Sequence, residues 1–197
     1  TMMTVFNRYK PNPTPLTIAV MEAMASVPSS GVSALGYKPP RGEAFHTGDR
    51  NVTTLMVKKA ARWFGADLVS ICKLDRRWVY SHTYSGGISM GTDAKLAPGG
   101  STPQEIPEEY QYVVVMGFEM DYDIMKYMPT YLANVATRMG YSRMAITNNY
   151  MTHFIQNLGY QAIDCSTNDV ALSIPMAMQA GLGDIARNGL LVAPKYG

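Results

Sequence analysis

Apolar residues recur along this chain at two spacings, near 3.6 and near 2, and Gly, Pro and Ser mark the changes between them. Residues 1–13 are polar, contain Pro and show no period, so they read as an arm. Thr14 and Pro15 open a helix as cap and first position, and the apolar run 16–24 continues it. Residues 27–50, rich in Ser, Gly and Pro, read as a long surface loop. Leu55, Val57, Ala60, Ala61 and Phe64 form the stripe of a helix over 52–64, with Asn51 as cap and Gly65 as stop. Residues 67–74 form a short apolar strand and 78–80 another, followed by a loop over 85–108. The Val run within 110–118 predicts a strand buried on both faces. A helical stretch covers 129–158; Gly140 interrupts it, leaving one helix or two open, and Gly159 ends it. Residues 160–165 read as a strand. Asn168 caps a helix running to 178, in which Pro175 removes one internal hydrogen bond, and 190–192 form the last strand. Alternating helices and strands make the chain α/β or α+β.

Composition narrows the class. With 197 residues, 47% apolar and 16% charged, the chain is long and apolar enough for a core. A net charge of +2 with no basic run gives no sign of a nucleic-acid partner. No apolar run approaches the roughly 18 residues of a membrane-crossing helix. Fifteen Met and thirteen Tyr fit either irregular core filling or a large apolar ligand bedded on soft side chains. Cys72 and Cys165 are the only cysteines, too few for a zinc or iron–sulfur site; both fall in strand-like segments, as small hydrophobes or as one disulfide. His46, His82 and His153 lack metal-ligand spacing, so no metal site built from protein side chains alone is expected.

The candidate chemistry is sparse. Tyr141 follows Gly140, where backbone can approach a ligand, and Thr137 lies one turn earlier on the same face. A phenol ionises near pH 10, and a cation such as Arg138, Arg143 or Arg187 would lower that; the alternative is a tyrosine that anchors a helix. Asn168 is a helix cap, a polar group aimed into a cleft, or both. Gly181, Gly183 and Gly189 around Arg187 and Asn188 either present backbone amides to a ligand or shape a turn. Trp78 and Tyr80 alternate on one strand face, as core or as an aromatic wall over a planar ligand or apolar substrate. Glu108, Glu109, Asp121 and Asp123 sit in polar segments and read as solvated. Neither G-x-S-x-G nor a dinucleotide-binding G-x-G-x-x-G is present.

In order along the chain, ARWFGADLVSICKLDRRWVYS, IPEEYQYVVVMGFEMDYD, GYSRMA, FIQNLGY and CSTNDVALSIPMAMQAGLGDIARNGLLVAPKYG resemble the corrinoid-binding catalytic domain of the reductive dehalogenases. The resemblance covers most of 52–197 and is most specific over the last thirty residues. Residues 1–50, read above as arm and loop, match only loosely; over 51–197 the resemblance implies a nitroreductase-like domain with a mixed sheet flanked by helices. It implies a bound cobamide whose cobalt takes no protein histidine, in keeping with the missing D-x-H-x-x-G pattern. It also implies reductive removal of halide from an organohalide, such as a chlorinated ethene or ethane, in organohalide respiration. Carried over by position, Tyr141 resembles the proton donor and Asn168 the polar residue beside it. Thr137, Tyr141, Met144, Asn168, Gly183, Arg187 and Asn188 would face the cofactor, and Phe6, Trp78, Tyr80 and Thr137 the substrate pocket.

The family's third partner, a cation beyond its P-x-Y-G motif (residues 194–197 here), is expected past the last residue, as are two 4Fe-4S clusters on C-x2-C-x2-C-x3-C-P motifs. The chain is therefore expected to be a fragment that does not turn over alone. The absent twin-arginine leader fits a mature chain exported to the outer face of the cytoplasmic membrane or the periplasm. A small membrane-anchor protein and an electron donor are the implied partners, with a homodimer left open. Two other readings stand beside this one: a non-catalytic cobamide-binding domain, and an epoxyqueuosine reductase, whose transfer-RNA substrate the near-neutral charge disfavours.

Overall fold

The computed structural model describes residues 44–84, 101–103, 106–128, 130–165 and 170–196. The expected arm, the helix over 16–24, most of both long loops, Phe6 and Asn168 lie outside the described residues. The chain divides into two compact units, Thr1–Ala66 with Met120–Asp164, and Asp67–Glu119 with Cys165–Gly197.

In the first unit, helix α1 spans Arg50–Trp63. Its cap is Asp49, not Asn51: the Asp49 carboxylate accepts from the Asn51 amide at 2.7 Å. Gly65, at φ 118°, ends the helix as expected. The short helix α2, Tyr122–Met125, is capped by Asp121, whose Oδ1 accepts from the Ile124 amide. Asp123 pairs with Lys126 at the surface. Helix α3, Tyr131–Asn157, is one continuous element. Gly140 costs it about 1 kcal/mol relative to Ala. A Cβ there would come to 3.4 Å from Met120 Cγ, an ordinary packing contact.

The buried face of α3 carries Ala133, Ala136, Thr147, Met151 and Phe154, small where it passes α2 and large towards its end. Phe64 closes the contact with α1, its ring 5.9 Å from Phe154 and 5.5 Å from Tyr150. Two α3 side chains satisfy carbonyls freed at the end of α1: Thr147 Oγ1 donates to Phe64 O at 3.1 Å and Arg143 Nη2 to Gly65 O at 3.1 Å.

The expected strand over 160–165 is absent; those residues hold no regular structure. Tyr160 N donates back to Ile155 O and Ala162 O accepts from Gln156 Nε2, so local bonds take backbone groups that a ladder would need, while the Tyr160 hydroxyl reaches Phe45 O and His46 Nδ1.

In the second unit, β1 (Leu68–Lys73) pairs antiparallel with β4 (Tyr112–Gly117), Leu68 opposite Gly117 and Lys73 opposite Tyr112. Strands β2 (His82–Tyr84) and β3 (Ser101–Pro103) form a second antiparallel pair. The expected mixed sheet is not found among the described residues, whose strands form separate two-stranded ladders. Strand β4 is only half-buried, because it has one strand neighbour and helix α4 (Ser173–Gln179) covering it. Ser70 and Cys72, alternate residues on one face of β1, donate to Ala180 O and Met176 O of that helical segment. Pro175 is the third helical residue, among the amides that lack an intrahelical acceptor anyway, so it removes no bond. The chain ends in a hairpin of β5 (Asp184–Ile185) and β6 (Leu191–Val192).

Thr147 is closed off from solvent, so replacing its hydroxyl strands a buried carbonyl. Thr147→Val should lower unfolding free energy by about 1–3 kcal/mol, with unchanged denaturant slope, in equilibrium denaturation. No disulfide joins Cys72 and Cys165, and Cys165 is exposed rather than packed in a strand. Burial pushes the Cys72 thiol above its ordinary pKa. Partly buried and with its thiolate scarcer near neutrality than an ordinary thiol's, Cys72 should be alkylated by iodoacetamide at least about tenfold more slowly than the exposed Cys165, its own rate rising with pH. Peptide mapping after timed alkylation measures both rates.

Candidate functional site

Helix α3 places Thr137, Tyr141 and Met144 on successive turns, spaced i, i+4 and i+7, along one stripe. Tyr141 is 52% exposed, so its ring does not anchor the helix in a core. Thr137 and Met144 are half-buried beside it. The stripe thus presents a phenol hydroxyl, an alcohol and a thioether, a set that donates a proton and contacts an apolar ligand but contains no nucleophile–base pair. Arg138, exposed one turn before Tyr141, is the cation at i, i+3 spacing. Arg143 spends a guanidinium nitrogen on Gly65 O instead. Beside Gly140 the nearest neighbour to the place of a Cβ is Met120 Cγ, at 3.4 Å.

In the second unit, Trp78 and Tyr80 do not share a strand face. Trp78 ends a 3-10 turn, Arg76–Trp78, and Val79 forms a single bridge with Ala171. Trp78 O accepts from Leu172 N, and Tyr80 N donates to Val170 O. The turn is built by DRRW. The Asp75 carboxylate accepts from the Arg77 amide at 3.0 Å and from its guanidinium at 2.6 Å. That side-chain hydrogen bond, then the backbone one, holds the Asp75 carboxyl below its usual range, and the same partner pushes the Arg77 guanidinium up. Arg76 fastens the turn with two bonds, to Ile106 O at 2.7 Å and Pro107 O at 2.9 Å. In the sequence these residues enter only within the DRRWVYS segment of the resemblance, with no turn assigned to them. The signal was there: an Asp two residues before the amide it binds is an Asx turn.

Gly183, Arg187 and Asn188 belong to the terminal hairpin. A Cβ on Gly183 would stand 2.1 Å from Val192 O, so the crossing of the two strands alone requires glycine there. Gly181 (φ 74°) follows the last turn of α4, and Gly189 (φ 81°) closes the tip. Asn188 Oδ1 accepts from Leu190 N at 3.1 Å. Arg187 and Asn188 are exposed at that tip. In the P-K-Y segment that follows, the Lys195 ammonium donates to the Tyr196 hydroxyl at 2.8 Å, which holds it above its usual pKa range.

The structure therefore gathers Thr137, Tyr141 and Met144 on one stripe of the first unit. It sets Arg187 and Asn188 on one turn of the second, and holds Trp78 and Tyr80 beside 170–172. Among the described residues, no three His, Cys, Asp or Glu side chains are grouped to hold a metal ion.

No family model matches the chain. It is similar to the tetrachloroethene reductive dehalogenase of Dehalobacter restrictus, at 34% identity over 80% of this chain and 33% of that protein. It is similar to the protein of the same name from Sulfurospirillum multivorans, at 32% identity over 83% of this chain and 34% of that protein. The chain thus spans about a third of the length of these curated relatives. Among solved structures, the catabolic reductive dehalogenase NpRdhA aligns with TM-score 0.66 and 20% identity, covering 91% of this chain and 23% of that one. The same protein in complex with 3-bromo-4-hydroxybenzoic acid aligns equally well.

Proposed function

The chain belongs to the reductive dehalogenases, and from that premise we propose that it forms part of the nitroreductase-like, cobamide-binding core of an enzyme that replaces a halogen on a small organohalide with hydrogen. The observation that carries the reading is the half-exposed Tyr141 on the stripe it shares with Thr137 and Met144. The relatives' name, tetrachloroethene reductive dehalogenase, supports a chlorinated ethene as the substrate class.

The residues fit a large planar cofactor with amide arms. The α3 stripe offers an apolar thioether and two hydroxyls, and the hairpin tip offers an exposed guanidinium and amide. Thr137, Tyr141 and Met144 would hold the cofactor from one helix, with Gly183, Arg187, Asn188 and Asn168 from the last segment. The cobalt of a cobamide supplies low-potential electrons to the carbon–halogen bond when bound. In the net reaction that bond breaks, halide leaves with the bonding pair, two electrons enter from a reduced donor, and one proton completes the new C–H bond. Tyr141 Oη donates that proton and, being half-exposed, is reprotonated from solvent. Thr137, one turn away on the same stripe, would border the substrate. The 4Fe-4S clusters that deliver electrons would be held by residues other than those of this chain, which has two cysteines. The same reading assigns the complete enzyme to organohalide respiration, exported by the twin-arginine route and attached through a small membrane-anchor partner.

The test is Tyr141→Phe in the complete enzyme, assembled without oxygen. Turnover should fall at least about 100-fold, the scale of a lost general acid, while corrinoid content read from the visible spectrum is unchanged. Turnover near that of the parent enzyme would remove Tyr141 from the role; loss of the corrinoid would make it a binding residue.

A further inference from the structure

Strand β1, LVSICK, is apolar apart from Ser70 and its last lysine. A half-buried hydroxyl in such a strand needs a partner. Ser70 Oγ finds one on α4's end, donating to Ala180 O at 2.6 Å across 110 residues of chain. That carbonyl is one the helix end leaves over. Gly181 N donates to Met178 O and Leu182 N to Ala177 O, each at 2.9 Å, the pair of bonds by which a glycine at φ 74° closes a helix. Ala180 O takes no part in that pair and is served from β1 instead.

The hairpin that follows is held together by its own bonds. Asp184 pairs with Val192 and Ile185 with Leu191, and Ala186 N donates to Leu190 O at 2.8 Å. Its hold on the rest of the second unit is slighter. Of residues 181–193 Ala193 alone is buried. Among the described residues, no hydrogen bond besides that of Ser70 joins residues 180–196 to anything outside 170–196. We propose that Ser70 is a positioning residue for the cofactor site: its hydroxyl fixes the exit of the chain from α4, and so the place of Arg187 and Asn188 at the hairpin tip. This rests on the reading of that tip as a cofactor contact. Four residues of strand from Gly183 to Arg187 make an arm of about 13 Å. A swing of about 10° at its base moves the tip by about 2 Å, more than a hydrogen bond tolerates.

The test uses the complete enzyme, prepared without corrinoid and titrated with hydroxocobalamin, with binding read from the visible spectrum. Ser70→Ala should weaken binding about three- to tenfold, the range of one neutral hydrogen bond. Ser70→Thr keeps the hydroxyl on a residue that suits a strand and should bind as the parent does. In a background of Arg187→Ala with Asn188→Ala, Ser70→Ala should add less than about twofold, because the groups it places are gone. As an independent measurement, amide exchange over residues 181–186 of the corrinoid-free protein should quicken at least about threefold in Ser70→Ala, while β1 and β4 keep their protection. An equal loss of binding in both backgrounds would make Ser70 a general support of the fold and overturn the proposal. Unchanged binding or unchanged exchange in Ser70→Ala would overturn it as well. If Arg187→Ala with Asn188→Ala leaves binding unchanged while Ser70→Ala still quickens exchange, the reading of the tip as a cofactor contact fails, and the positioning role falls with it although the Ser70 bond stands.

Discussion

A single turn of buried polar contact sets the rotation of α3. The carbonyls freed where α1 stops, at Phe64 and Gly65, accept from Thr147 and Arg143, one turn apart on α3. Phe64 lies between those bonds and the rings of Tyr150 and Phe154. A helix held by hydrogen bonds and ring packing on one side cannot turn about its axis without stranding carbonyls in an apolar interior. Once that side is fixed, periodicity decides the rest. Thr137, Tyr141 and Met144 must emerge on one open stripe, and Leu132, Val135 and Met139 on another. The proposed chemistry of Tyr141 therefore rests on an interaction that itself touches no substrate.

Much of this was legible in the chain because it depends on period and on glycine. The α1 stripe, the stop at Gly65, the Val-rich strand and the end of α3 before Gly159 follow from local pattern. What was illegible depends on competition between groups that local pattern ranks alike. Asp49 and Asn51 are both good caps, and the tie is broken by Thr47, which donates to the Asp49 carbonyl and fixes the turn before the helix. Residues 160–165 alternate well enough for a strand, but the Tyr160 amide is committed to Ile155 O and the Ala162 carbonyl to the Gln156 side chain, both local partners. Pro175 looks like a break in a helix that begins at 168; once the helix begins at Ser173, the same proline is harmless.

The candidate site was legible to a lesser degree and for a different reason. Thr137, Tyr141 and Met144 could be placed on one face because helical spacing is nearly invariant. The glycines of the last segment could not be assigned from spacing, since a turn and a ligand cradle ask for the same residue. Steric contact decides at Gly183, where the Val192 carbonyl fills the space a Cβ would occupy. Trp78 depended on a clamp that involves Ile106 and Pro107, thirty residues away, which no local window contains. Kinship came from the order of several weak motifs, and the similarity to the tetrachloroethene reductive dehalogenases runs along most of the chain.

The two open faces of α3 make different demands, and one partner cannot meet both. The Tyr141 stripe mixes hydroxyls with a thioether, so whatever covers it must both accept hydrogen bonds and tolerate apolar contact. The opposite seam offers leucine, valine, methionine and isoleucine at a coiled-coil repeat, with little to hydrogen-bond beyond Ser142. Water is a good solvent for the first face and a poor one for the second. The stripe should therefore be occupied only when a cofactor is bound. That separation lets α3 stay folded around an empty site. Packing against α1 and α2 holds its buried side, so the Tyr141 stripe stays open.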